Sequence, residues 1–156
     1  MARPRQDVQH LLGRLNFIDT HEHLVEERHR LNPTPDLERY NLCANRDFSI
    51  LLSHYASDDL RVAGMPAGDL ELFLAPSTDL ELKWRLMSPW YARCRHTGYL
   101  RAVRETLKLL YGVDDLTSDT YAVVSERLAA AMKPGYYRHI LTDVAKVDYC
   151  QVNSLE

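Results

Sequence analysis

The feature that most constrains this chain is a short stretch near its start, FIDTHEHL at residues 17–24. An apolar pair opens the stretch and predicts a short buried strand. If the extended conformation continues, alternate side chains share a face, so Asp19, His21 and His23 project to the same side. The sequence therefore predicts a strand that presents three ionisable side chains on one face near its carboxyl end.

Two imidazoles placed in this way can bind one divalent metal ion, since each needs only a neutral ring nitrogen at about 2.0–2.1 Å. We predict that His21 and His23 are metal ligands and that the carboxylate of Asp19 orients one of the rings as an outer partner. The alternative is that one histidine caps a turn and the other is exposed in a loop, because short motifs also occur by chance.

Most of the remaining chain predicts helices. Apolar residues at helical spacing predict a helix near residues 5–15, before the strand. After the strand, capping residues and helical spacing predict helices at 46–56, capped by Asn45, at 58–63, capped by Ser57, and at 70–74. A capping box at Thr78 predicts a long helix with a kink at Pro89, followed by a helix that ends at Gly112. A further helix is capped by Ser118 or Thr117, and the last one covers 136–145. Residues 149–153 predict a second strand.

The stretch at 17–24 resembles the first-strand signature of the amidohydrolase superfamily, whose members are metal-dependent (β/α)8 barrels. The rest of the chain is similar to the amidohydrolase-2 and uronate-isomerase-like branch, which inserts a large helical segment after the first strand. The resemblance implies that His21 and His23 bind a divalent metal, zinc first, with manganese or iron as alternatives.

The resemblance also implies an α/β fold, a fragment of a (β/α)8 TIM barrel that is mostly helical as it stands. The chain is then a single partial domain with three parts. Residues 1–24 hold an amino-terminal helix, the first barrel strand and the His-x-His motif, 25–146 are the helical insertion, and 147–156 include the second barrel strand.

A complete barrel takes about 250 residues and eight strands, whereas this chain has 156 residues and two predicted strands. We therefore expect the amino-terminal portion of a larger enzyme, with the other metal ligands and the general base on later strands. Because a catalytic zinc ion usually has three protein ligands, we expect this chain alone to be inactive.

For the intact protein, the resemblance implies a hydrolase in which a metal-activated water attacks a small-molecule substrate. One alternative is a uronate isomerase-like sugar-acid isomerase, or a decarboxylase, of the same superfamily. Another, from a different class, is a non-catalytic helical binding module in which the histidine pair is incidental.

Three further residues are candidates for contact with a substrate. A His-Tyr pair after the first strand contacts the substrate in uronate isomerases, so the resemblance makes His54 and Tyr55 candidates for substrate binding or proton relay. Arg28 follows the histidine pair and is a candidate for bidentate hydrogen bonds to a substrate carboxylate. The alternatives are a core tyrosine beside a surface histidine, and an arginine in a solvated loop.

The composition indicates which classes of binding partner to expect. A formal net charge of −3 creates no field that would recruit nucleic acid or an anionic membrane, and no apolar run approaches the ~20 residues of a membrane span. The first residues lack the features of a secretory signal. We therefore expect a cytoplasmic protein with a small-molecule substrate, no nucleic-acid or membrane partner, and homo-oligomerisation left open. The three separated cysteines, Cys43, Cys94 and Cys150, predict reduced thiols.

Overall fold

A computed structural model describes residues 8, 10–33 and 44–153 of the chain. The chain divides into two compact units, one formed by residues 1–27 with 135–156 and the other by residues 28–134. The described residues are mostly helical and include a two-stranded parallel sheet, which confirms the expected mixture of helix and strand. Cys43 lies outside these residues, so the structure does not test its predicted state.

The first unit contains the sheet. Strand β1 (Phe17–Glu22) pairs in parallel with strand β2 (Val147–Val152), so both predicted strands are present, and the second begins two residues earlier than predicted. The predicted burial of the first strand is wrong, because the side chains of Phe17 and Ile18 are 43 % and 70 % exposed in the two-stranded sheet. Between Asp19, which pairs with Cys150, and Glu22, which pairs with Val152, β1 has one more residue than β2. This irregularity is a bulge, which bends a strand and redirects its side chains.

The described part of the predicted helix at 5–15 is helical at residues 8 and 10–12 and turns at Gly13. The other helices are α1 (Glu27–Leu31), a 3₁₀ helix (Phe48–Leu52), α2 (Tyr55–Val62), α3 (Ala67–Leu74), α4 (Leu80–Cys94), α5 (Gly98–Tyr111), α6 (Tyr121–Ala131), α7 (Tyr136–Arg138) and a π-helix (His139–Val144). The single helix predicted at 136–145 is thus divided into α7 and the π-helix.

The predicted helices at 46–56 and 58–63 are wrong in their boundaries. Asp47, not Asn45, caps the first of them, because its carboxylate accepts a hydrogen bond from the amide of Ser49. The chain then leaves the 3₁₀ helix and re-enters helix at α2 after His54, whose φ is +56°. Ser57 lies inside α2, where its hydroxyl donates to the carbonyl of His54.

Two other predicted caps are also shifted along the chain. At α4 the cap is Asp79 rather than Thr78. Asp79 Oδ1 accepts hydrogen bonds from the backbone amides of Glu81 and Leu82, at 3.0 and 3.1 Å. At α6 the cap position is Thr120, whereas Thr117 accepts from the amide of Asp119. The prediction at Gly112 is confirmed, because this residue ends α5 in the left-handed conformation.

Pro89 lies inside α4, which continues as helix to Cys94. That residue is a buried free thiol, as predicted, and Cys150 is a half-buried one. Burial, followed by the nearby Asp59 carboxylate, raises the pKa of the Cys94 thiol. A buried thiol that stays protonated behaves as a small apolar group, which suits its place in the core.

The core of the second unit surrounds Phe48 on the 3₁₀ helix. Its ring centroid lies 5.8 Å from that of Phe73, 6.4 Å from Trp84 and 5.7 Å from Tyr121. Trp84 and Tyr121 also stack, with ring planes 6° apart. Phe48 and Phe73 are completely buried, so this aromatic cluster connects the 3₁₀ helix with α3, α4 and α6.

Within the described ranges, no helix is both long enough and apolar enough to cross a bilayer.

Candidate metal centre

Two carboxylates hold the backbone at the carboxyl end of β1. The amide of His21 donates to Asp19 Oδ1 at 3.0 Å, and the amide of His23 donates to Glu22 Oε2 at 3.1 Å. The bulge lies between Asp19 and Glu22, so the His21 amide bonds to a local side chain in the segment where the pairing with β2 is irregular. The two histidine backbones are therefore fixed by acidic residues of the same stretch.

The two imidazoles face each other. Their Nε2 atoms lie 3.1 Å apart, and their ring centroids lie 4.8 Å apart with the planes at 82°. Both residues are exposed to solvent. The predicted placement of the two rings on one side of the backbone is confirmed.

The separation of the two nitrogens fits a shared metal ion. Two nitrogens that each bind one ion at about 2.05 Å are about 2.9 Å apart at a right angle and about 3.3 Å apart at a tetrahedral angle. The observed 3.1 Å lies between these values. The same distance also suits a hydrogen bond in which one ring donates from Nε2–H and the other accepts.

Asn153, which follows β2, contacts His21 and the backbone of Glu22. Its backbone amide donates to the carbonyl of Glu22 at 2.8 Å, and its side-chain Nδ2 lies 2.6 Å from Nδ1 of His21. Asn153 is not among the site residues that the sequence predicts. Its position in the sequence was the signal that could have identified it. When two strands are parallel neighbours, a polar residue that follows the second strand lies beside the end of the first strand.

The structure places the Asp19 carboxylate on the amide of His21, where it supports the backbone. Its predicted role as an outer partner of an imidazole stays a prediction. The side chain that contacts the outer nitrogen of His21 is the amide of Asn153.

No group of three or more His, Cys, Asp or Glu side chains suited to a metal ion is found among residues 8, 10–33 and 44–153. The described residues therefore offer two imidazole nitrogens to an ion. Water molecules, substrate groups or further protein ligands would have to fill its other coordination positions.

The other predicted site residues belong to the second unit. Arg28 is an exposed residue of α1. His54 precedes α2, and its ring centroid is 5.4 Å from that of Tyr55, which in turn stacks on Tyr99 at 5.1 Å with planes 13° apart. The predicted tyrosine is more than half exposed, so it is not a core residue. The roles of Arg28, His54 and Tyr55 toward a substrate stay predictions.

Comparisons with protein-family models, with curated proteins and with solved structures give no match. The resemblance to amidohydrolases therefore stays a prediction from residues 17–24.

Proposed function

We propose that His21 and His23 are two ligands of a divalent metal ion, zinc before manganese or iron, in a metal-dependent hydrolase of the amidohydrolase type. The observation that carries this proposal is the 3.1 Å separation of their Nε2 atoms at the end of β1. Two exposed rings whose ligating nitrogens converge leave space for the other ligands of a catalytic ion, which keeps at least one open position.

The position of the pair in the sheet supports the proposal. The histidines lie at the carboxyl end of β1, and β1 is a parallel neighbour of β2. Binding sites of parallel sheets and of (β/α)8 barrels lie at this end, where loops after the strands converge. We propose that the two strands are adjacent strands of such a barrel, with helical residues 28–134 inserted between them.

The four ionisable residues at the end of β1 each have a role in this proposal. His21 and His23 bind the ion through Nε2, and Asp19 and Glu22 fix their backbones through the amide hydrogen bonds. When bound, a divalent ion lowers the pKa of a coordinated water and polarises the bond under attack in a small-molecule substrate.

A second candidate is a helical binding module in which the two histidines bind no metal. The observation that favours it is that 3.1 Å is also an ordinary distance for a hydrogen bond between the two rings. In that case one histidine donates and the other accepts, so the hydrogen bond joins a residue of β1 to the residue that follows the strand.

Metal binding by the purified protein separates the two candidates. Wild-type protein, titrated with Zn²⁺ at equilibrium, should bind about one equivalent per chain, and His21→Ala/His23→Ala should lose this binding, because both imidazole ligands proposed for the site are gone. His96→Ala/His139→Ala is the matched control, since it removes two exposed histidines elsewhere. Equal zinc in wild type and in the His21/His23 variant would contradict the metal site and favour the binding module.

A further inference from the structure

We propose that Asn153 is the positioning residue of the metal centre, and that its side-chain amide holds the outer nitrogen of His21 and can pair with either neutral tautomer of that ring. This inference rests on the proposed function, because it concerns how one imidazole is made available to the ion. It adds a residue from the second strand to a site that the sequence assigned to the first strand alone.

Two contacts place the Asn153 side chain at the outer edge of His21. The backbone amide of Asn153 donates to the carbonyl of Glu22 at 2.8 Å, which continues the pairing of β1 with β2 beyond the last ladder residue. The side-chain Nδ2 then lies 2.6 Å from His21 Nδ1. Because the backbone contact does not depend on the side chain, substitutions at Asn153 can change the ring contact while retaining the strand pairing.

In the arrangement that the structure shows, the contacts of the His21 ring suit one of its two neutral tautomers. Nδ1 faces the Nδ2 donor of Asn153, so Nδ1 accepts and the proton of the neutral ring is on Nε2. Nε2–H then donates to Nε2 of His23 at 3.1 Å. This chain of hydrogen bonds holds both rings in place, but it occupies the nitrogen of His21 that a metal would bind.

Metal binding needs the other tautomer, with the proton on Nδ1 and a lone pair free on Nε2. A carboxamide can accompany this change. Rotation by 180° about its last bond exchanges Nδ2 and Oδ1 with little change in shape, so Oδ1 comes to accept from His21 Nδ1–H. A hydrogen bond from the outer nitrogen of a ligating histidine to an oxygen fixes the ring and makes it a better ligand. Asn153 therefore suits both tautomers of His21.

Two substitutions separate these functions of the amide. Asn153→Ala removes both the donor and the acceptor, so His21 loses its orienting partner and the affinity for Zn²⁺ or Co²⁺ should fall about 10–100-fold. Asn153→Asp keeps an acceptor and removes the donor, so it favours the proton on Nδ1. We expect Asn153→Asp to bind the ion at least as tightly as wild type.

A matched control exists at the opposite end of the same strands. Asn16 Nδ2 donates to Asp148 Oδ1 at 2.9 Å, so Asn16→Ala also removes a side-chain amide contact between residues beside β1 and in β2, away from the histidines. We expect it to leave the metal affinity unchanged. A loss as large as that of Asn153→Ala would mean that the effect comes from weaker pairing of the strands, and would overturn the proposal.

A second readout needs no metal. Nitrogen-15 chemical shifts of the imidazoles distinguish the two neutral tautomers, and at about pH 8 an ordinary histidine is neutral. The fraction of His21 with its proton on Nδ1 should be larger in Asn153→Asp than in wild type, because a carboxylate accepts from Nδ1–H and cannot donate to an unprotonated Nδ1. The same fraction in both proteins would overturn the proposal, and this comparison remains decisive even if Asn153→Ala fails to fold.

Failure of the inference is distinguishable from failure of the proposed function. If wild type binds no more Zn²⁺ or Co²⁺ than His21→Ala/His23→Ala, the metal site itself is wrong and the inference falls with it. If wild type binds the ion and Asn153→Ala binds it equally well, the metal site stands and the role of Asn153 is overturned.

Discussion

At the scale of single residues, the fold contains a completely buried ammonium group, which is costly in free energy unless it is paired. Lys83 has no exposed surface, and its Nζ lies 2.6 Å from Asp47 Oδ2 and 3.2 Å from the hydroxyl of Ser49. Asp47 uses its other oxygen to cap the 3₁₀ helix. A buried charge is tolerated only with such partners, so one carboxylate both neutralises the lysine and starts the element at the centre of the core.

Asp47→Asn should lower the free energy of unfolding by about 3–5 kcal/mol, because it leaves the ammonium buried without a counter-charge. Asparagine is a good cap, so the variant changes the charge while the cap is kept. Asp79→Asn is the matched control at the exposed cap of α4 and should cost less than about 1 kcal/mol. Urea denaturation measures both, and equal losses would contradict an essential role for the ion pair.

Tyr91 is the residue whose acidity the fold changes most. Its hydroxyl donates to Asp115 Oδ1 at 2.5 Å, and Arg95 and Arg104 also contact that carboxylate. Burial, and then the hydrogen bond to Asp115, raises the pKa of the Tyr91 phenol above its ordinary value. The folded protein therefore retains the phenolic proton at a pH where the unfolded chain has lost it.

Stability should consequently fall in alkaline solution. The stabilisation linked to this proton is fully present below the ordinary tyrosine pKa of about 10 and is lost as the pH rises above it, because the unfolded state then binds fewer protons than the folded state. Tyr91→Phe should lose less stability than wild type between about pH 9 and pH 11. Urea denaturation across this range tests the sign, and an identical loss in both proteins would contradict it.

At the scale of elements, the end of α2 depends on a glycine. Gly64 follows the helix with φ +113°, and a β-carbon built on it would lie 2.8 Å from Cζ3 of Trp90 in α4. Its amide donates to the carbonyl of Arg61 at 3.0 Å, which closes the turn. The position thus needs both a left-handed backbone and the absence of a side chain, because α2 and α4 pack closely there.

Gly64→Ala should reduce the free energy of unfolding by roughly 1–3 kcal/mol, since alanine is strained at positive φ and the ring of Trp90 must move. Gly68→Ala is the same substitution in the first turn of α3, where a β-carbon meets nothing within 4 Å. It should be neutral or stabilise by up to about 1 kcal/mol, because alanine favours helix. Thermal unfolding of the two variants should therefore shift in opposite directions or by clearly different amounts.

Among the strands, helix caps and site residues, those that depend on neighbouring residues could be predicted from the sequence. The two strands and the proximity of His21 and His23 depend on residues close together in the sequence, so they were predicted, whereas the bulge between Asp19 and Glu22 was not. Helix caps were misplaced by one to three residues where several capping residues follow one another, as at Thr78 and Asp79, because the choice depends on the final path of the backbone. Asn153 was missed because its contact with His21 depends on the parallel register of two strands far apart in the chain.

At the scale of the whole molecule, the two units differ in how well they bury apolar side chains. The helical unit buries Phe48, Phe73 and Leu107 completely. In the sheet, Ile18 is 70 % exposed and Tyr149 is 66 % exposed. A two-stranded sheet with exposed apolar residues is only marginally stable by itself, so the sheet should open more often than the helical unit.

Amide hydrogen exchange should reveal this difference. Backbone amides of α4 and α5 should exchange at least about 100-fold more slowly than those of β1 and β2. A segment with a small free energy of opening exposes its amides to water more often, so these amides exchange faster. If the histidine pair binds Zn²⁺, adding the ion should slow exchange in β1 and β2 and leave α4 and α5 unchanged. Equal protection of sheet and helices without metal would contradict the assignment of the sheet as the less stable part.

The pairing of β1 with β2 across the full length of the helical unit also sets an order of events in folding. Pairing Glu22 with Val152 in an unstructured chain closes a loop of more than a hundred residues, at an entropic cost of about 4 kcal/mol. Prior folding of residues 28–134 shortens the free part of that loop and lowers the cost. The helices should therefore form first and the sheet last, so the chain acquires its candidate metal centre in the final step of folding.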